Sequence, residues 1–194
     1  MATTSFSLLD RLQNQQDETA WQQLNDIYAP LILGWLSRQQ LERSDRDDVV
    51  QDVLLVVLRR LPQFQHNRRP GAFRTWLRAI SVNCLRDHWR TRRLRPLVGG
   101  DTSFLEALNQ LTDDNSDLSR QWDEEHDLIV TRKLLDSIRD DVEEPTWQAF
   151  EGVALQEKPA AEVATELRIS IASVYQAKSR VLARLRQAAV GLLD

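Results

Sequence analysis

Apolar residues recur one helical turn apart through most of this sequence, and no alternation of apolar and polar residues survives for more than a few positions. A chain patterned this way cannot build a sheet, and the fold class it predicts is all-α. Six glycines and six prolines punctuate the helices. Asp17–Gln40 carries Trp21, Leu24, Ile27, Tyr28, Leu31 and Ile32 at helix spacing, with Pro30 as a bend. Ser44 or Asp45 caps a second helix that runs to Leu61 and stops at Pro62. A loop follows over Gln63–Gly71, then a helix from about Phe73 to Arg93. Leu94–Asp117, with Pro96, Gly99, Gly100 and an acidic tail, reads as a linker holding one short helix, Phe104–Leu111. Leu118–Asp141 is helical until Glu144-Pro145 breaks the pattern, and Thr146–Leu155, Lys158–Leu167 and Ile171–Leu193 complete the set. This predicts two small helical domains, 16–95 and 120–194, with a tail over 1–15 and an acidic tether over 96–119.

Charge is segregated along the chain. The net charge is −4, yet Arg68–Arg95 holds nine arginines against the single acid Asp87. Asp101–Asp127 holds nine acids against Arg120, and Arg168–Leu193 holds five bases and no acid. Local field, not the sum, attracts phosphate, so two basic blocks predict two anion-binding modules. Arginine makes up 22 of the 25 bases, and its fork suits phosphates and base edges. The one cysteine, Cys84, permits no internal disulfide, and no cofactor or metal is expected. The longest apolar run, Val53–Leu58, is too short to span a membrane, and Met1–Asp10 lacks a secretory pattern. A cytoplasmic protein without membrane insertion is the expectation.

Three elements carry the functional argument. Lys158–Leu167, a three-residue turn and Ile171–Arg186 have helix-turn-helix spacing, with Ala164 small at the crossing and Ser170 as cap. Ile171, Val174, Val181 and Leu185 form an inward stripe there. Ser173, Tyr175, Gln176, Ser179, Arg180 and Arg184 face away, an acid-free surface suited to a DNA major groove. The turn position often held by glycine is Arg168, which predicts a backbone conformation other than left-handed. On Phe73–Arg93, Phe73, Trp76, Leu77, Ile80 and Cys84 form a core stripe, with Arg74, Arg78, Arg86, Arg90 and Arg93 opposite and Asn83 on the boundary. On Asp45–Leu61, Val49, Val50, Val53, Leu54, Val57 and Leu61 point inward, and Asp48, Gln51, Asp52 and Leu55 form a protein-docking face.

With these in place the chain resembles bacterial RNA polymerase sigma factors of the small extracytoplasmic-function (ECF) type. Asp47-Asp48-Val49-Val50-Gln51-Asp52 is similar to the family's region 2.2, Phe73–Ile80 with Asn83 to region 2.3, and Arg86–Arg95 to region 2.4. Tyr28-Ala29-Pro30 fits the first helix, and Thr146–Phe150 and Ala160–Ala164 resemble region 4. The resemblance implies core RNA polymerase (β′ coiled coil and β flap), promoter DNA and an anti-sigma factor as partners of a chain that is monomeric when free. It implies that Asp48, Gln51, Asp52 and Leu55 dock on the polymerase. Phe64, His66, Arg68, Arg69, Arg78, Asn83, Arg86, Arg90 and Arg93 would handle the −10 element, and Ser173, Tyr175, Gln176, Ser179, Arg180 and Arg184 the −35 element. The acidic linker would run toward the RNA exit path. Arg168 and Ala177 depart from the family pattern, the second at a place where a base is frequent.

Other classes predict different behaviour. A stand-alone helix-turn-helix regulator would bind DNA unaided as a dimer, and no dimerisation heptads are visible. A protein-only helical adaptor would be indifferent to neutralising Arg180 or Arg86, Arg90 and Arg93. An enzyme would need chemistry that His66, His88 and His126 are not spaced to supply, and there is no nucleophile elbow or phosphate loop.

Overall fold

The computed structural model describes residues 8–13, 17–38, 41–64, 71–92 and 109–193. Every regular element among them is helical. They are α1 (Leu8–Gln13), α2 (Glu18–Ser37), α3 (Arg43–Arg60), α4 (Ala72–Arg92), α5 (Asp117–Asp140), α6 (Glu144–Ala154), α7 (Ala160–Leu167) and α8 (Ile171–Ala189), with a 3₁₀ turn at Leu61–Gln63. Residues 109–112 are helical as well, within the segment read as a linker. No helix among the described residues is long and apolar enough to cross a membrane.

Two compact units result. Among the described residues, one holds those from 8 to 130 with 191–193, and the other holds Thr131–Val190, so the boundary falls inside α5. The expected boundary was the 96–119 tether, but residues 109–130 pack with the N-terminal unit. Their apolar side chains explain why: Leu111, Trp122 and Val130 are buried. The expected N-terminal tail is likewise partly core, since Leu8, Leu9 and Leu12 of α1 are buried.

In the N-terminal unit, α2 starts where Asp17 accepts the Ala20 amide N–H at 2.8 Å, and it carries Pro30 within the helix. Leu24, Ile27, Tyr28, Leu31, Ile32 and Trp35 form its buried stripe. The start of α3 differs from expectation. Glu42 precedes it without a side-chain cap, and Ser44 and Asp45 lie inside the first turn. Asp45 is buried and faces the His88 Nε2 of α4 at 3.6 Å, so this carboxylate links two helices rather than capping one. Rings then bridge the elements: Tyr28 meets Phe73 at 5.4 Å, Phe64 meets Trp76 at 4.8 Å, and Trp35 meets Trp122 edge-on at 5.3 Å.

The C-terminal unit is built on small-residue crossings. Ala149, Val163, Ala164, Val174 and Ala177 form one cluster, and Ile138, Trp147, Phe150 and Val181 another. A Cβ on Gly152 would stand 2.8 Å from a Val163 methyl, so α6 and α7 approach as closely as they do because that side chain is absent. Pro145 sits in the first turn of α6, where its missing N–H costs nothing, rather than breaking a helix. Ser170 caps α8 by accepting the Ser173 amide N–H at 3.0 Å. Arg168 is left-handed, at φ 54° and ψ 42°, contrary to expectation. Its amide reaches the Ala164 and Thr165 carbonyls, and the Ile169 amide donates to Ala164 at 3.0 Å. These bonds satisfy carbonyls at the end of α7 and offset the strain. Ile171, expected inward, is exposed, and Ala177 takes an inward place instead.

Candidate docking face and nucleic-acid interface

On α3 a row of valines fixes which side faces the core. Val49, Val50, Val53 and Val57 are buried, which turns Asp48, Gln51 and Asp52 outward with Leu55, 46% exposed. Leu54, expected inward, is half-buried because it lines a groove beside α2. That groove, about 350 Å³, is walled by Trp21, Leu24, Asn25, Gln51, Leu54, Leu55 and Leu58. It offers apolar depth with the amides of Asn25 and Gln51 at its wall, the composition of a protein-binding patch.

The opposite flank of α3 faces α4 across a more polar cleft lined by Asp52, Arg59, Cys84, Asp87 and His88. Burial, with Asp52 and Asp87 adding to it, pushes the Cys84 thiol up to about 11. At neutral pH it is a protonated packing group and not a nucleophile.

Along α4, Arg74, Arg78, Arg86 and Arg90 do not share one surface. A step of four residues advances about 40° around a helix, so Arg74 and Arg90 stand roughly 160° apart. Val82 and Leu85 are buried between them in angle, which leaves that part of the helix closed. Arg78, expected on an open face, is itself buried. Its guanidinium pairs with Asp114 and with Asp123 at 2.8 Å, and it reaches the Ser119 carbonyl at 3.4 Å. Arg74 donates to Asp127 at 2.7 Å and lies 3.3 Å from Asp123. Arg86 reaches Asn109 at 3.0 Å, whereas the Arg90 side chain is 82% exposed and pairs with Asp87 at 3.0 Å. Asn83 is exposed. Phe64 is half-buried against Phe73 and Trp76. His66, Arg68, Arg69 and Arg93 lie outside the described residues.

Burial pulls the two main acids of this cluster toward protonation, with opposite outcomes. Asp123 is raised, because burial outweighs Arg74 and Arg78. Burial also raises Asp127, but the hydrogen bonds from His126 and Arg74 prevail and hold it low. A carboxylate can only accept, so the His126 Nδ1 carries the hydrogen toward Asp127 at 3.0 Å. In a neutral ring Nε2 then accepts from the Tyr28 hydroxyl at 3.4 Å. Burial first, then Asp127, raises that phenol. Glu125 completes the set. Arg38 bonds to it and holds its carboxyl below the usual range, against a smaller opposing effect of burial.

On α8 the outward side is as the sequence predicts. Ser173, Tyr175, Gln176, Ser179, Arg180 and Arg184 are exposed. Two are tied within the unit: the Ser173 hydroxyl lies 2.8 Å from that of Ser170, and Arg184 donates to the Asp141 carbonyl at 2.8 Å. Tyr175, Gln176, Ser179 and Arg180 leave the capped end of the helix toward solvent. Arg74, which the sequence places on the basic face but outside the candidate interface, engages carboxylates just as Arg78 does.

Comparison with known proteins agrees with this geometry. The profile of sigma-70 region 2 matches residues 25–95. The RNA polymerase sigma-H factor of Pseudomonas aeruginosa is 27% identical over 185 residues, 93% of this chain and 89% of that protein. The RNA polymerase sigma factor HrpL of Pseudomonas syringae pv. syringae is 24% identical over 165 residues, 85% of this chain and 84% of that one. The ECF RNA polymerase sigma-E factor of Haemophilus influenzae is 33% identical over 93 residues, covering 48% and 47%.

Proposed function

Because the chain belongs to the sigma-70 family as an ECF-type sigma factor, we propose a division of its work between three surfaces. The protein binds core RNA polymerase, recognises promoter DNA and assists its melting at initiation. The α3 face of Asp48, Gln51, Asp52 and Leu55 docks on the β′ coiled coil. The exposed side of α8 reads the −35 element through Tyr175, Gln176, Ser179 and Arg180, with Ser173 and Arg184 bordering it, and its unit meets the β flap. The open part of α4, with Asn83, Arg86 and Arg90, meets the −10 element together with His66, Arg68, Arg69 and Arg93, while Phe64 braces the start of that helix. An anti-sigma factor would act by covering the α3 face. The free chain is a cytoplasmic monomer that performs no bond-making chemistry.

The observation that carries this reading is the contrast between helices. α3 turns carboxylates, an amide and a leucine outward, and α8 turns out hydroxyls, an amide and guanidinium groups with no acid. A carboxylate-bearing surface repels DNA and suits a protein partner, whereas the acid-free one suits phosphates and base edges. Arginines supply salt-dependent affinity, and the polymerase and −35 contacts offset the few kcal/mol needed to unstack each base. The test is capture of core polymerase by the wild-type chain and by Asp48→Ala/Gln51→Ala/Asp52→Ala. Stoichiometric capture by the wild type, reduced at least about ten-fold in the triple variant, is expected. A folded wild-type chain that captures no polymerase would sink the reading in favour of a stand-alone regulator.

A further inference from the structure

Two guanidinium groups of α4 are occupied by acids that come from far along the chain. Arg78 holds Asp114 and Asp123, and Arg74 holds Asp123 and Asp127, so three carboxylates share two forks. Guanidinium forks that accept carboxylate oxygens accept phosphate oxygens by the same paired N–H geometry. Arg74 and Arg78 are neighbours one turn apart, and they precede Asn83, Arg86 and Arg90 on the same helix. The acids are not sealed in. The Asp114 side chain is 69% exposed and that of Asp127 is 44% exposed. The Arg74 side chain is 18% exposed and that of Arg78 only 4%, so a phosphate reaches their N–H groups only as these carboxylates move aside.

We propose that residues 109–130 are an internal competitor for nucleic acid, their carboxylates occupying phosphate-binding positions on Arg74 and Arg78 until single-stranded DNA displaces them. This rests on α4 being a DNA-facing helix, as above. Three further observations agree with displacement. Glu125 and Arg38 pair at the surface, where water and salt weaken the contact. Burial leaves Asp123 reluctant to stay charged even between two arginines. The third is that α5 is divided between the two compact units after Val130, so 109–130 and the C-terminal half of that helix belong to different units.

The experiment uses the full chain and a labelled, mixed-sequence single-stranded oligonucleotide, with binding read by anisotropy over a salt series. Asp123→Asn/Asp127→Asn is compared with Glu124→Gln/Asp136→Asn, which removes the same charge from exposed positions of α5. The first pair is expected to bind about ten-fold more tightly than wild type and the control pair within about three-fold. Freeing Arg74 for a phosphate, with Asp114 still on Arg78, should also steepen the slope of log K against log salt by about 0.7. A folded Asp123→Asn/Asp127→Asn protein that binds no tighter than the control overturns the proposal. If that variant does not fold, hydrogen exchange on the wild type decides. Amides of 117–130 should lose protection when the oligonucleotide is bound, and unchanged protection would make the segment a permanent part of the fold. Polymerase capture by the wild type is scored separately, so a failure of the sigma reading is visible apart from either result.

Discussion

Arg168 occupies a backbone region where an L side chain costs roughly 1–2 kcal/mol. Glycine there would relieve the strain and give back about 0.4–1 kcal/mol through a more flexible unfolded chain. Arg168→Gly is therefore expected to stabilise the C-terminal unit by about 0.5 kcal/mol, and Arg168→Val to destabilise it by more than about 1 kcal/mol. Thermal unfolding of the two variants checks the order. Gly152 presents the reverse case. Alanine gains up to about 1 kcal/mol of helix propensity, but its methyl meets Val163 at 2.8 Å, and overpacking costs about 1–3 kcal/mol. Gly152→Ala should be destabilising by about 1 kcal/mol, with part of the loss recovered in a Gly152→Ala/Val163→Ala double variant. Single residues of this kind were legible only in part. Ala164 as a crossing residue and Ser170 as a cap follow from type and position, whereas the closeness at Gly152 depends on a partner eleven residues on and leaves no mark on local pattern.

At the scale of elements, apolar periodicity located every described helix beyond α1, within a few residues at either end. What it missed are faces buried by charge. The arginines of α4 read as one solvated surface because each is polar, yet Arg78 is core, satisfied by acids 36 and 45 residues away. Asp45 read as a cap and lies buried against His88 for the same reason. Local pattern cannot report pairings that only the tertiary fold creates. The first half of α5 is held by such pairings, and its response to acid follows from their sign. Glu125 and Asp127 have depressed folded values, so their contribution is complete above the unfolded range near 3.8–4.5 and is lost as pH falls through it. Asp123, raised by burial, takes up its proton first on the way down and has the opposite sign. Because these groups are partly exposed, each contributes less than about 1 kcal/mol. The urea midpoint of the N-terminal unit should be flat from about pH 6 to 8 and should fall below about pH 4, more shallowly in Glu125→Gln.

For the whole molecule, the alternation of basic, acidic and basic blocks was the most informative long-range signal, and it was read too literally. Acids between two basic modules suggested a solvated tether, and the low apolar content of 112–117 supports that view locally. Yet Leu111, Trp122 and Val130 give the same stretch enough apolar surface to pack, and the acids find their counter-charges on α2 and α4. A net charge of −4 is compatible with binding a polyanion because charge is segregated: internal pairs leave the sum unchanged, and the acid-free face of α8 sets its own local field. In α8 the labour is divided within one helix. Val174, Ala177 and Val181 hold it to its unit, and Tyr175, Gln176, Ser179 and Arg180 are exposed on the other side. Exchanges at the four outward positions should shift stability by no more than about 0.5 kcal/mol each. A lineage carrying this fold can therefore redraw whatever that helix face recognises by drift at four solvent-facing codons, without ever passing through an unfolded ancestor.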